Sequence, residues 1–243
     1  MIKDPGSRKL NLLIILLIGV AVFLVGRVIY LSEFSLENRV KKVSGSVVSI
    51  VATKQVEGLS RIFFAAPSNS DESIEISGGT GFFVSTEGII VTNAHILSGE
   101  NYTVITDRGD KFPAQVLKQF PEKDIAFLKI DGDNWPTVVL STNSGLNQGQ
   151  RVFSLGNTLG YYANTLHTGT VAAPRRSIEK NGSVFEEMIQ LEMNIAQGDS
   201  GAPLFNRFGQ VVGLITAFDN RASNLAFALP TSQIIDAFNQ LNE

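Results

Sequence analysis

Gln197-Gly198-Asp199-Ser200-Gly201-Ala202-Pro203 sets one serine between two glycines, with a strand pattern at Leu204 and Phe205 behind it. Glycines permit a tight backbone turn that a Cβ would obstruct. Such a turn projects a hydroxyl outward and aims backbone N–H groups at one point, the geometry that stabilises a developing oxyanion. The same Gly-Asp-Ser-Gly also suits an ordinary surface turn, so the surrounding chain has to decide.

Working outward, short β-type segments dominate. Val47 to Val51, Gly78 to Val84, Ile89 to Thr92, Tyr102 to Thr106, Phe112 to Leu117, Ile125 to Ile130 and Val138 to Leu140 precede a glycine-containing break at Ser144 to Gly149. Arg151 to Leu155, Leu166 to Ala172, Met188 to Glu192, Leu204 to Phe205, Val211 to Phe218 and Leu225 to Ala228 follow it. Many short strands separated by frequent turns predict an all-β sandwich or a pair of barrels. Helical periodicity returns at the end, where Ile234, Ile235, Ala237, Phe238 and Leu241 share a face and Ser232 is the expected N-cap.

Two more residues stand at strand ends. His95 directly follows Ile89 to Thr92, and Asp124 opens the apolar run Ile125 to Ile130. A carboxylate at the mouth of such a strand stays charged only if donors meet it, and a histidine N–H is one. The order His95, Asp124, Ser200 matches one arrangement of the serine-protease triad. In that mechanism His95 takes the Ser200 proton, Asp124 fixes the imidazole tautomer, and the N–H groups of Gly198 and Ser200 hold the oxyanion.

Composition narrows the classes. The chain has 243 residues, a formal net charge of −3, no cysteine and two histidines. Scattered Lys and Arg argue against a nucleic-acid surface. Without cysteine there are no disulfides or thiolate metal sites, and neither a metal nor a cofactor is expected.

Residues Leu10 to Val25 are apolar apart from Asn11, and Lys3, Arg8 and Lys9 precede them. A helix continued through Leu31 spans about 33 Å, close to a hydrocarbon core, with Arg27 able to snorkel to the headgroups. A cleavable signal peptide has a similar start, but no small-x-small cleavage site follows. The expectation is a retained transmembrane helix, with the basic end inside and the rest outside the cytoplasm. The organisation is then a basic tail (1–9), a signal anchor (10–31), a linker or stalk helix (32–43), an N-terminal barrel (44–143) and a C-terminal barrel with its helix (144–243).

Six stretches in order resemble the HtrA (DegP/DegS-like) branch of the chymotrypsin-fold serine proteases. They are Gly78-Gly79-Thr80-Gly81-Phe82, Val91-Thr92-Asn93-Ala94-His95, Lys123-Asp124-Ile125-Ala126, Ser154-Leu155-Gly156-Asn157, Gly198-Asp199-Ser200-Gly201 and Ala226-Phe227-Ala228-Leu229-Pro230. The resemblance implies two six-stranded antiparallel β-barrels with the triad between them, and a membrane-anchored endopeptidase cutting unfolded or exposed polypeptide segments. It implies a specificity pocket lined by Asn194, Ile195 and the strand Leu214-Ile215-Thr216-Ala217, residues that serve equally well as barrel core. No acidic residue stands at the Asn194 position, so a small apolar substrate side chain is expected. Position likens Arg176 to the arginine linking the family's activation and sensor loops, against the plain reading of a solvated arginine. The family also implies a homotrimer.

Departures from the family are informative. A PDZ domain usually follows the protease, and this chain ends on its short helix, so no such module is expected. Asp199 and Ala202 replace the usual Asn and Gly beside the serine. An Asp directly before the nucleophile resembles trypsin-type enzymes, where a freed N-terminal ammonium pairs with it; here its simplest state is solvent exposure. His167, on an alternating strand, is expected to face solvent too. The competing functional readings are a pseudoprotease used for binding or scaffolding, and a membrane-attached assembly factor.

Overall fold

The computed structural model describes residues 14–27, 35–55, 73–142, 145–158, 162–180, 183–216 and 224–241. These fall into two units, Met1–Arg39 and Val40–Glu243. In the first unit, residues 14–27 form helix α1, whose Ile15, Leu16, Val22 and Phe23 are exposed. Its rise of about 21 Å is short of the roughly 30 Å hydrocarbon core. Among the described residues, no helix is long and apolar enough to cross a membrane. Both ends of the span expected over 10–31 lie outside the described residues. Helix α2 (Leu36–Val43) occupies the expected stalk, and Ser35 Oγ accepts the Asn38 N–H at 3.2 Å, satisfying one donor of the first turn.

The second unit holds the strands. The first six are β1 (Val47–Gln55), β2 (Ser73–Phe83), β3 (Ile89–Thr92), β4 (Asn101–Ile105), β5 (Lys111–Phe120) and β6 (Ile125–Lys129). They are followed by β7 (Arg151–Thr158), β8 (Tyr162–Lys180), β9 (Ser183–Glu192), β10 (Pro203–Phe205), β11 (Val211–Thr216) and β12 (Leu225–Pro230). The first six close into a barrel in the order β1-β2-β3-β6-β5-β4, the last six in the order β10-β11-β12-β9-β8-β7. Every pairing is antiparallel, and the two cyclic orders are the same when each barrel's strands are counted from its first. The expected all-β architecture of two six-stranded barrels is the one observed.

Side-chain alternation explains why the strands read as nearly continuous apolar runs. Val48, Phe83, Ile90 and Leu128 belong to the first barrel's own cluster, and Val152, Leu191, Leu204 and Ile215 to the second's. Their neighbours Val47, Phe82, Val91 and Phe127 join Phe153, Leu155, Phe205 and Leu214 in a third cluster drawn from both barrels. Strands apolar on both faces have no solvent side to advertise. This shared cluster welds the halves together, and α3 (Thr231–Asn239) adds Ile234 and Ala237 to it.

Two local expectations fail. Val138 to Leu140 is not a strand; Leu140 makes one isolated bridge to Val211. The N-cap position of the terminal helix is Pro230 instead of Ser232, with no side-chain cap, and the Thr231 hydroxyl donates to Val211 O at 3.0 Å, tying the helix start to β11.

Candidate active site

The left-handed backbone of Asp124 (φ 53°) ends a single helical turn over Pro121–Lys123 and starts β6 at the next residue. Asn93 Nδ2 donates to Asp124 O at 2.9 Å, which ties this corner to the end of β3. The Asp124 carboxylate therefore faces the turn Ala94–Ile96 that carries His95. His95 Nδ1 lies 2.9 Å from both carboxylate oxygens, the His95 backbone N–H donates to Oδ1 at 3.1 Å, and Thr216 Oγ1 donates to Oδ2 at 3.0 Å. Three donor groups compensate a carboxylate whose side chain is only 12% exposed. The His95 ring itself is 49% exposed, so its other edge is open to an incoming group.

The serine turn is built from two consecutive reversals. Asp199 N–H donates to Ala196 O at 3.2 Å, and Ala202 N–H donates to Asp199 O at 3.0 Å. Gly198 (φ 94°) and Gly201 (φ 86°) occupy the third positions, where a type II turn requires positive φ. Ser200 lies between them, 8% exposed. A Cβ on Gly201 would run into Thr80 O and Thr92 Oγ1, so glycine is demanded there by space as well as by angle.

Thr80 of β2 fastens this turn to the opposite barrel. Its N–H donates to Ser200 O at 2.8 Å, and its hydroxyl donates to Gly198 O at 2.7 Å while accepting the Asn157 N–H at 2.8 Å. The carbonyl of Thr80 accepts the Thr92 hydroxyl at 2.7 Å. Gly79, next to it, is wedged between the Ile96 side chain and Ser200 O, both of which a Cβ would crowd. The His95 turn and the Ser200 turn thus meet on either side of one glycine backbone.

Asp199 is 1% exposed, and its burial corrects the expectation of a solvated side chain. Its Oδ2 accepts the Ala196 N–H at 2.7 Å and lies 3.1 Å from His167 Nε2. His167, expected to face solvent, has a side chain only 13% exposed. The hydrogen bond to Asp199 raises its pKa above the ordinary histidine value; the Asp199 charge and the Asn194 backbone carbonyl add to this, and burial opposes it. A Cβ at Gly156 of β7 would collide with Asp199 Oδ1, so that glycine makes room for the carboxylate.

The other sequence candidates divide. Leu214 and Ile215 are fully buried in the apolar clusters, as the barrel-core reading has them. Thr216 is likewise buried, its hydroxyl turned to Asp124. Ala217 lies outside the described residues. Asn194 is exposed and Ile195 half-buried, both shortly before the serine turn. Arg176 is exposed on β8, with Nε donating to Gln190 Oε1 at 2.8 Å. Among the described residues, no group of three or more His, Asp or Glu is placed to hold a metal ion. The sequence reading missed Thr80, the Thr216 hydroxyl and His167; buried hydroxyls on otherwise apolar strands are the one signal that could have flagged the first two.

Comparison with known proteins places the chain among peptidases. The family model for the trypsin-like peptidase domain matches residues 79–214. A protein of Halomonas elongata named as a probable periplasmic serine endoprotease, DegP-like, is 32% identical over 167 residues, covering 67% of this chain and 35% of that protein. One of the same description from Chlamydia pneumoniae is 35% identical over 184 residues, covering 72% of this chain and 37% of that one. The solved structure of the HtrA-type protease AlgW with a tripeptide matches with a TM-score of 0.72 at 28% identity, over 86% of this chain and 64% of that chain. The chain spans little more than a third of the length of these curated relatives.

Proposed function

The chain belongs to the trypsin-like peptidase family, on its HtrA-type branch, and from that premise we propose that it is a serine endopeptidase using His95, Asp124 and Ser200. The Ser200 hydroxyl attacks a peptide carbonyl as His95 Nε2 accepts its proton, and the imidazolium that forms is stabilised by Asp124. The same proton then goes to the leaving amine, and water repeats the sequence on the acyl-enzyme. The N–H groups of Gly198 and Ser200 take the oxyanion; one such donor is typically worth about 3 kcal/mol of barrier. The supporting observation is Asp124, nearly enclosed yet met by His95 and by Thr216 from the other barrel.

Substrates are polypeptides in extended form, since a cleft beside a strand accepts backbone most readily as an added strand. Asn194 and Ile195 are the side chains best placed to sense the residue before the cut. The apolar, exposed face of residues 14–27 supports an anchor over 10–31, which would hold the catalytic unit outside the cytoplasm. Resistance of the full chain to alkaline carbonate extraction, lost on deleting residues 1–34, tests the anchor.

Fluorophosphonate labelling tests the chemistry. Wild type is expected to be modified and Ser200→Ala not; absence of labelling in wild type would leave the scaffolding alternative standing.

A further inference from the structure

Ser200 is preceded by a carboxylate sealed from water, and a buried charge without a partner is among the most destabilising features a fold can contain. His167 supplies the partner from β8, a strand of the same barrel, through Nε2 at 3.1 Å. A second acceptor, the Asn194 backbone carbonyl, also meets the ring. Two acceptors on one imidazole fit the doubly protonated form, which has a donor on each nitrogen. Among the described residues, Asp199 is the charged group acting on the ring; Ser154, its neighbour across β7, is neutral and donates to Pro203 O. The ring thus clamps both ends of the segment from Asn194 to Asp199, and the Ala196 N–H on Asp199 Oδ2 closes the clamp from within.

We propose that His167 is a positioning residue for peptide hydrolysis: as an imidazolium bound to Asp199, it holds the turn that presents the Gly198 and Ser200 N–H groups to the oxyanion. It would perform from inside the barrel the task that a chain-terminal ammonium performs in trypsin-type enzymes, so the turn is set without cleavage of the chain. This inference rests on the serine-peptidase reading. His167 touches no reacting atom; its effect passes through Asp199.

Two independent measurements test it. The first needs no catalysis: histidine-labelled protein is titrated by NMR, with His95→Ala assigning the two ring signals. The His167 ring is expected to remain doubly protonated above the ordinary histidine pKa of about 6.5; a ring that is neutral at and below that pH overturns the proposal. The second is steady-state hydrolysis of a chromogenic peptide. His167→Leu is expected to lower kcat by about 10²–10³-fold at nearly constant KM, as loss of an oxyanion donor does. His167→Gln, which keeps an N–H donor, should recover most of that loss.

If His167→Leu does not fold, the double variant His167→Leu/Asp199→Asn removes the buried charge and serves instead. Positioning predicts that it folds but stays well below wild type in kcat; wild-type kcat would reduce His167 to charge compensation and overturn its role. A kcat raised above wild type in any His167 variant would also overturn it, because the pair would then restrain an inactive turn. Wild type that neither labels nor hydrolyses anything overturns the peptidase reading itself, whereas labelled wild type with unaffected variants removes only the role of His167.

Discussion

Both histidines of this chain face an aspartate, at 2.9 Å in His95–Asp124 and 3.1 Å in His167–Asp199, yet the two pairs are not equivalent. The His95 ring is half exposed and its aspartate has other donors, a backbone N–H and the Thr216 hydroxyl. The His167 ring is almost enclosed and its aspartate fully so. Exposure separates their duties. A ring open on one edge can exchange a proton with substrate, while an enclosed ring beside a sealed carboxylate keeps its proton to higher pH. On the proposed reading, the same two side-chain types serve chemistry in one setting and architecture in the other.

The contrast can be broken most sharply at His95. His95→Ala is expected to lower kcat on a peptide substrate by about 10⁴-fold or more, with unfolding free energy changed by about 1 kcal/mol or less because the ring is exposed. A comparable loss of stability in urea denaturation would erase the division of labour. His167→Leu should instead cost about 3–5 kcal/mol of stability, since it removes the cationic partner of a buried carboxylate; the same urea experiment reads it. Gly156→Ala forces a methyl into the space of Asp199 Oδ1 and is expected to cost about 1–3 kcal/mol, with kcat falling alongside as the serine turn shifts.

Smaller effects sharpen the comparison. Thr216→Val removes one donor from Asp124 and should lower kcat/KM about tenfold, in line with a lost hydrogen bond to a charged group; stopped assays on a peptide substrate check it. The smallest signal is in pH. The pKa of His167 is raised in the folded protein, so its contribution to stability is full below the unfolded value of about 6.5 and declines as pH rises through the raised native value. Thermal melts of wild type should therefore lose stability as pH rises through that window relative to His167→Gln.

Much of this was legible beforehand. Strands such as Ile89–Thr92 appeared where alternation and turns placed them, and His95, Asp124 and Ser200 each stood out at a strand end or between glycines. What failed was the phase of β8. Alternation along Leu166 and His167 says only that they point to opposite faces, and a shift of one residue inverts which is inside. Leu166 proves 43% exposed and the histidine enclosed, because the interior there already holds Asp199. The anchoring bonds of Thr80 and of Thr216, the latter expected only in the specificity pocket, escaped notice for a different reason. Their partners are Gly198 and Asp124, 118 and 92 residues away, and a local pattern carries no trace of a bond made across barrels.

Those two threonines have a further consequence. One reaches from the leading half of the molecule to steady the nucleophile's loop, and the other reaches back to steady the carboxylate. Neither half therefore holds the whole arrangement. A fragment shed by damage or trimming would lack either the serine turn or the histidine–carboxylate pair that the proposed hydrolysis needs.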